Sequence, residues 1–477
     1  MKTMKSKLNL IIIATFLLNN MVIGQISNVN NIKTKIDEVA MKAVELELFS
    51  GAILVAEKGK IIYSKAFGEA NKDHNIKNNL ETKFNIASIG KSFTSTATMI
   101  LAQKGLLKIN DPVIKYLPNF PFGKEITIHH LLTHTSGLGD YLSNPVYVSN
   151  KNNLSSINDL IPIIYSEDLI FSKPGEYMAY SNSGAIVMGA VIESITGQSY
   201  FGFLQQNIFS PLNMNNTSYK NSDDVIPNRA TGYIKKMSGG FSNNSHTLYA
   251  PSPAGGLQLT VGDLFLFDQA LYDTLLLSDE YKKIMFTPYK NNYACYWGVF
   301  ERFNNTVIGH AGGSPGINTW FRRYINDEYT IIVLSNYDNG AESIFFKIES
   351  ILFNQEYSLP RTPVAEFLYP LIKDEGVELV HANISEILKK SNYQIPNSDV
   401  LNTFGYALLQ QNDTEMAINC FLLNTYLFKD DANIFDSLGE AYMKAGKREL
   451  AIENYEKSIK LNPKNASAIK MLEKLRQ

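Results

Sequence analysis

The chain has 477 residues, 45% of them hydrophobic and 19% charged, a balance that excludes a disordered polypeptide and leaves ample material for more than one core. The formal net charge is −2 and no basic patch is present, which argues against a nucleic-acid partner. Of the two cysteines, Cys295 and Cys420, a bridge is compatible with an oxidising compartment, but two buried apolar thiols are the favoured reading.

The N-terminus opens with Lys2, Lys5 and Lys7, followed by an apolar run from Leu8 to Leu18 and then Val22, Ile23 and Gly24. That order predicts a secretory signal peptide over 1–24 and a periplasmic or secreted protein. The run is shorter than the roughly 20 residues a spanning helix needs, and no cysteine follows it for lipid attachment. No later segment is long and apolar enough to span, so no stable membrane span is expected after cleavage.

Residues 25–355 mix strand and helix signals. A helical stretch over 32–48 precedes a hairpin of apolar and β-branched runs, 51–56 and 60–66, with Gly59 at the turn. Helical signals follow at 88–105, 124–134, 183–197 and 260–275. Strand signals return at 306–310, 318–324 and 329–335. Strands at both ends with helices between predict an α+β fold, an antiparallel sheet flanked by helices, with a helical insertion covering one face. Residues 356–397, opening on Leu359, Pro360, Arg361, Thr362 and Pro363, form a transition or linker.

Residues 398–477 are almost purely helical and repeat with a period of 34. Gly405 is followed by Gly439, Ala417 by Ala451, and Phe421 by Tyr455. With Leu438, Tyr442 and Pro463, this pattern resembles a tetratricopeptide repeat. Its first copy departs, with Leu408 and Lys429 at the Tyr and Pro positions. The segment 364–390 reads as a divergent preceding repeat and 466–475 as a capping helix, since isolated repeats bury too little.

The chemistry gathers in three motifs. The first is Ser88-Ile-Gly-Lys91. On a helix, i and i+3 share a face, and Ser88 at the first turn feels the positive end of the helix dipole. Lys91 serves as a base only if burial depresses its pKa. The spacing alone is weak, because Ser467-Ala-Ile-Lys470 repeats it on a lysine-rich C-terminal helix, where it is read as chance. The second motif, Tyr180-Ser-Asn182, offers a phenol and an amide just before a helix. A Tyr180 phenolate near Lys91 would take the Ser88 proton, and the Asn182 amide would hold Lys91 and the substrate carbonyl. The third, His310-Ala-Gly312-Gly313-Ser-Pro-Gly316, sits just before a strand, where glycines let a substrate lie against backbone N–H groups.

In this order the three motifs resemble the serine β-lactamase and penicillin-binding protein superfamily, in its class C-like branch. The runs Asp111-Pro112, Ile126 to Leu138 and Pro253 to Leu264 carry the resemblance over roughly residues 30–355. It implies that Ser88 is acylated, with Lys91 and Tyr180 as the general-base pair and Asn182 orienting substrate. The backbone N–H groups of Ser88 and Gly313 would form the oxyanion hole, Gly312 would line the substrate strand, and His310 would bind substrate or shuttle a proton. Relatives that destroy β-lactams usually carry Lys at position 310, a permanent cation for a substrate carboxylate. A histidine there moves weight toward esterases and D-amino-acid amidases or peptidases.

The resemblance calls for no cofactor. His129, His130 and His134 are read as structural residues near a helix end rather than a metal site, since no third ligand is evident. Trp320, Tyr293 and Tyr296 are candidates for the cleft wall or for core. The expected activity is cleavage of a small ester, amide or peptide through an acyl-enzyme. The competing readings are a catalytically silent sensor of peptidoglycan fragments or β-lactams, and an adaptor whose C-terminal repeats dock a protein partner.

Overall fold

The computed structural model describes residues 29–221, 223–247 and 249–476; the expected signal peptide lies outside them. The chain divides into two compact units, one running to residue 235 and resuming over 242–360, the other comprising 236–241 and 361–477.

The first unit begins with helix α1 (residues 29–45) and the hairpin β1 (Gly51–Glu57) and β2 (Lys60–Phe67). Helices α2 (Gly90–Gln103), α3 (Ile128–Leu132), α4 (Asn182–Thr196) and α5 (Val261–Ala270) come next. Strands β3 (Gly298–Arg302), β4 (Asn305–Ser314), β5 (Ile317–Tyr324) and β6 (Tyr329–Ser335) and helix α6 (Gly340–Leu352) close the unit. The six strands form one sheet in the order β2-β1-β6-β5-β4-β3, antiparallel throughout. The first strand of the chain thus pairs with the last, Gly51 opposite Ser335 and Glu57 opposite Tyr329.

Both faces of the sheet are covered, and the period-2 alternation of its central strands shows how. Ile53 and Val55 of β1 and Ile331 and Val333 of β6 join a core with Ile36, Val39 and Ala43 of α1 and Ile344, Phe345 and Ile348 of α6. The residues between them, Ala52, Leu54, Ile332 and Leu334, face the larger core built on α2, α4 and α5. Successive arginines of β5 follow the same alternation. Arg322 meets Glu349 of α6 at 2.8 Å, and Arg323 meets Asp268 of α5 at 2.7 Å. Both carboxylates are fully buried, so each pair locks a helix layer to the sheet; Glu349 is held by Arg302 of β3 as well, at 2.8 Å, whereas deleting Asp268 would strand the buried Arg323 charge at a cost of roughly 3–5 kcal/mol.

One strand boundary differs from expectation. β4 does not end at His310 but runs through Gly312 and Gly313 to Ser314, pairing Gly312 with Thr319 and Gly313 with Asn318. Glycine signals a turn in sequence, yet here it serves close approach. A Cβ on Gly312 would fall 2.3 Å from the Ile86 carbonyl, so only glycine lets β4 pass beside the segment that carries Ser88.

Among the described residues the second unit holds seven helices: α7 (Val364–Glu375), α8 (Val377–Ser391), α9 (Asp399–Gln410), α10 (Thr414–Leu427), α11 (Ala432–Lys444), α12 (Arg448–Leu461) and α13 (Ala466–Arg476). Leu368 of α7 and Val380 of α8 enter the same core as Leu408, Phe421, Leu438 and Tyr455. The 34-residue period has a steric origin. A Cβ on Gly405 would meet the Phe421 ring at 2.4 Å, and one on Gly439 would meet the Tyr455 ring at 3.0 Å. Each glycine therefore seats the aromatic of the following antiparallel helix. Cys295 and Cys420 are free, buried thiols in different units.

Candidate active site

Ser88 stands on an elbow. Phe84–Asn85 pairs with Gln258–Leu259, the Asn85 side chain accepts from the Ala87 N–H at 2.8 Å, and a 3₁₀ turn, Ala87–Ile89, leads straight into α2. Ala87 takes a φ of +45°, a left-handed conformation that costs a non-glycine residue about 1–2 kcal/mol. The surrounding glycines hold it there. A Cβ on Gly255 would lie 2.3 Å from the Ala87 carbonyl, and one on Gly90 would lie 2.7 Å from the Gly255 Cα. The elbow presents Ser88 half-buried at the floor of an open cleft of about 560 Å³, mouth included, whose walls include Tyr141, Tyr249, Asn182 and Gly313.

Lys91 lies in the first turn of α2, a helix buried from Gly90 to Ala102. Its side chain is fully buried and its Nζ sits 2.6 Å from the Ala254 carbonyl, 2.7 Å from Asn182 Oδ1 and 3.1 Å from Ser88 Oγ. Burial pulls its pKa down to about 7, against the opposing pull of the Asp140 carboxylate. Asn182 is oriented from its other end, where Nδ2 donates to Asp140 Oδ2 at 2.7 Å. That bond fixes the amide with its oxygen toward Lys91. A neutral Lys91 then has two N–H bonds for two obligate acceptors, Ala254 O and Asn182 Oδ1, and its lone pair is left for the Ser88 hydroxyl.

Tyr180 and Asn182 flank Ser181, and the reason is local. Ser181 is the N-cap of α4, accepting from the Gly184 N–H at 3.0 Å and donating to the Gly139 carbonyl at 2.7 Å. The cap pins both neighbours: Asn182 starts the helix, and Tyr180 precedes it with its ring centroid 4.8 Å from Lys91 Nζ. The Tyr180 ring keeps an outer face in solvent, 43% exposed, while its phenol is turned inward toward the Ser88 hydroxyl. Desolvation raises the phenol pKa well above its ordinary value, a rise that the Ser88 hydrogen bond only partly offsets. Tyr180 is therefore a neutral phenol near neutral pH, in contrast to the phenolate expected from sequence.

His310 lies on β4 at the back of this cluster. Its Nδ1 is 2.6 Å from the Ala311 carbonyl and its Nε2 is 3.0 Å from the Tyr293 hydroxyl. Tyr293 also reaches His134 Nε2 at 3.3 Å, and His134 Nδ1 accepts from the Ser181 N–H at 3.1 Å. His134 packs against Tyr180 with ring centroids 4.2 Å apart and the rings tilted by 36°.

The sequence reading of the motifs thus meets the structure unevenly. Ser88, Lys91, Tyr180 and Asn182 converge at one point, with Gly312 against the elbow and Gly313 on the cleft wall. His134, read as a structural residue of a helix end, stands past α3 with φ +54° and belongs to the cluster. His130 does cap α3, its Nδ1 accepting from the Thr127 N–H at 3.2 Å. Trp320 packs on Phe345 and Phe346 of α6, on the far face of the sheet from Ser88. Ser467 and Lys470 lie exposed on α13. Asp140 and the Ala254 carbonyl were not foreseen. The only sequence signal for Asp140 is its position directly after the run ending at Leu138, and a backbone carbonyl leaves no signal at all.

Fold and cluster together define a serine hydrolase of the β-lactamase fold. The Beta-lactamase family profile matches residues 38–352, and the chain belongs to that family; a tetratricopeptide-repeat profile matches residues 437–465. A penicillin-binding protein of Bacillus subtilis is 32% identical over 349 residues, covering 67% of this chain and 76% of that one. The crystal structure of a penicillin-binding protein from Bacillus halodurans superposes with a TM-score of 0.62 at 27% identity, over 66% of this chain and 98% of that one. The D-amino acid amidase of Ochrobactrum anthropi SV3 shares the fold, with a TM-score of 0.59 at 21% identity, over 68% of this chain and 98% of that one.

Proposed function

We propose that this protein is an exported, class C-like serine hydrolase that forms an acyl-enzyme on Ser88 and cleaves an ester or amide. The observation that carries the reading is the hydrogen-bond inventory of Lys91: two fixed acceptors consume the N–H bonds of the neutral amine, and the lone pair faces the nucleophile. Ser88 Oγ attacks the carbonyl carbon while its proton passes to Lys91 Nζ. The oxyanion is held by the backbone N–H groups of Ser88 and Gly313. The leaving oxygen or nitrogen takes a proton from the Tyr180 phenol, which Lys91 replenishes. Water then attacks the ester on Ser88, its proton passing through Tyr180 to Lys91, which returns it to Ser88 Oγ as the acyl bond breaks, and the acid is released. Asn182 keeps one N–H for the substrate carbonyl, since its other polar positions are engaged by Lys91 and Asp140.

Substrate preference follows from the walls. The cleft is lined by tyrosines, serines, asparagines, glycines, alanines and Leu142, with no arginine or lysine among its described lining residues. Such walls suit an ester or amide without a carboxylate beside the scissile bond, the chemistry of esterases and D-amino-acid amidases more than of β-lactam hydrolysis. Export rests on the lysine-rich, then apolar, N-terminal segment, and a protein partner on the C-terminal repeats is part of the same proposal. Among the described residues no helix is long and apolar enough to cross a membrane.

The test is intact mass after a fluorophosphonate and, separately, after a penicillin, with Ser88→Ala as control. A fluorophosphonate adduct confined to Ser88 supports the proposal. Penicillin adducts as well would return the substrate to β-lactam-like peptides. No adduct on folded protein would overturn catalysis and favour the silent binding protein.

A further inference from the structure

The chain His134–Tyr293–His310 admits one assignment of protons that satisfies every bond. His134 Nδ1 accepts from the Ser181 N–H, so a neutral His134 carries its proton on Nε2 and donates it to the Tyr293 oxygen. The Ala311 carbonyl only accepts, so His310 carries its proton on Nδ1. His310 Nε2 is then an acceptor, and the Tyr293 hydroxyl, having accepted from His134, donates to it.

We propose that Tyr293 is the positioning residue that sets acyl-group specificity: by donating to His310 Nε2 it holds His310 as a neutral imidazole with both nitrogens occupied, and so excludes carboxylate-bearing substrates. This deepens the serine-hydrolase reading and rests on it for the substrate, although the proton assignment itself does not. Protonating His310 would require Nε2 to become a donor. Tyr293 would then face two N–H donors, from His134 and His310, and its own hydrogen would lose its acceptor. The groups around His310 reinforce this. Lys91 on α2, His134 after α3, Tyr180 before α4 and Tyr293 before β3 are cationic or neutral, Phe321 lies opposite on β5, and no carboxylate is among the groups acting on His310. Burial and the Lys91 charge push its pKa down to about 4.

Two measurements test the proposal. The first is imidazole ¹⁵N NMR of the full chain labelled only at histidine, with His310 assigned by its loss in His310→Gln. Wild-type His310 is expected to stay neutral, protonated on Nδ1, at pH 6; in Tyr293→Phe it should begin to titrate above that. The second is the ratio of kcat/KM for p-nitrophenyl butyrate to that for mono-p-nitrophenyl glutarate, which cancels the titration of Lys91. The ratio should fall at least about tenfold in Tyr293→Phe at pH 6, the size of one lost charge discrimination, and less at pH 8. A wild-type His310 protonated on Nε2, or titrating near 6.5, overturns the proposal even if Ser88 is labelled by fluorophosphonate. A pH-independent ratio overturns it equally. Failure of Ser88 to label, with the NMR result as expected, would instead sink the hydrolase reading alone.

Discussion

Ser88 and Ser467 each stand three residues before a lysine, and the two pairs share little else. The first is set on a strained elbow at the start of a buried helix, with its lysine enclosed by the Ala254 carbonyl, the Asn182 amide oxygen and the Ser88 hydroxyl. The second is exposed on α13, where Lys470 has an ordinary solvated setting. Spacing brings two side chains to one face of a helix; burial and fixed acceptors are what would let one of them serve as the proposed base. Deleting each hydroxyl separates the two pairs most directly. Ser88→Ala should abolish ester turnover and the fluorophosphonate adduct, whereas Ser467→Ala should leave both unchanged. Turnover surviving in Ser88→Ala would end the assignment.

Tyr180 carries the same contrast further: its phenol is turned toward Ser88, whereas the Ser467 side chain is hydrogen-bonded to Asp436. Tyr180→Phe keeps the ring on His134 and removes only the hydroxyl. Its kcat should drop by roughly 10²–10⁴-fold, the range for losing a proton-transfer partner. A drop below about threefold would show that Lys91 works without a relay. Asp140 gives a smaller effect with a definite sign. Activity requires neutral Lys91, so kcat/KM should rise with pH through about 7. The Asp140 carboxylate favours the ammonium form, and Asp140→Asn removes that support while an amide oxygen can still accept from Asn182. The acidic limb should therefore move to lower pH. A shift to higher pH would mean that the limb belongs to another group.

What could be read from the sequence divides along the same line. The sheet was legible because β1, β2, β5 and β6 are rich in β-branched, apolar and aromatic residues, a signal that needs no partner to be seen. The cluster of Ser88, Lys91, Tyr180 and Asn182 was legible because each lies in a motif of few residues. The rest depends on distant segments. The Ala254 acceptor of Lys91 is 163 residues away, Asp140 meets Asn182 across 42, and Tyr293 joins His134 and His310 only after the chain has folded. Gly312 misled for a related reason: glycine marks turns and close approaches alike, and the Ile86 carbonyl that decides between them lies on another segment.

The repeat unit supplies a comparison within itself. Gly405 and Gly439 occupy equivalent places, but a methyl group at Gly405 would lie 2.4 Å from the Phe421 ring, and one at Gly439 would lie 3.0 Å from the Tyr455 ring. Both aromatics are buried, Phe421 at 0% and Tyr455 at 1% exposure, so neither ring has solvent to move into. Overpacking of this kind costs typically about 1–3 kcal/mol, offset in part by the roughly 1 kcal/mol that alanine gains over glycine inside a helix. Gly405→Ala should therefore destabilise the repeat unit in urea unfolding, and Gly439→Ala should lie within about 1 kcal/mol of wild type. Equal losses at both positions would mean that the rings yield alike, and that the 34-residue period records helix spacing rather than the fit of a particular ring against a particular glycine.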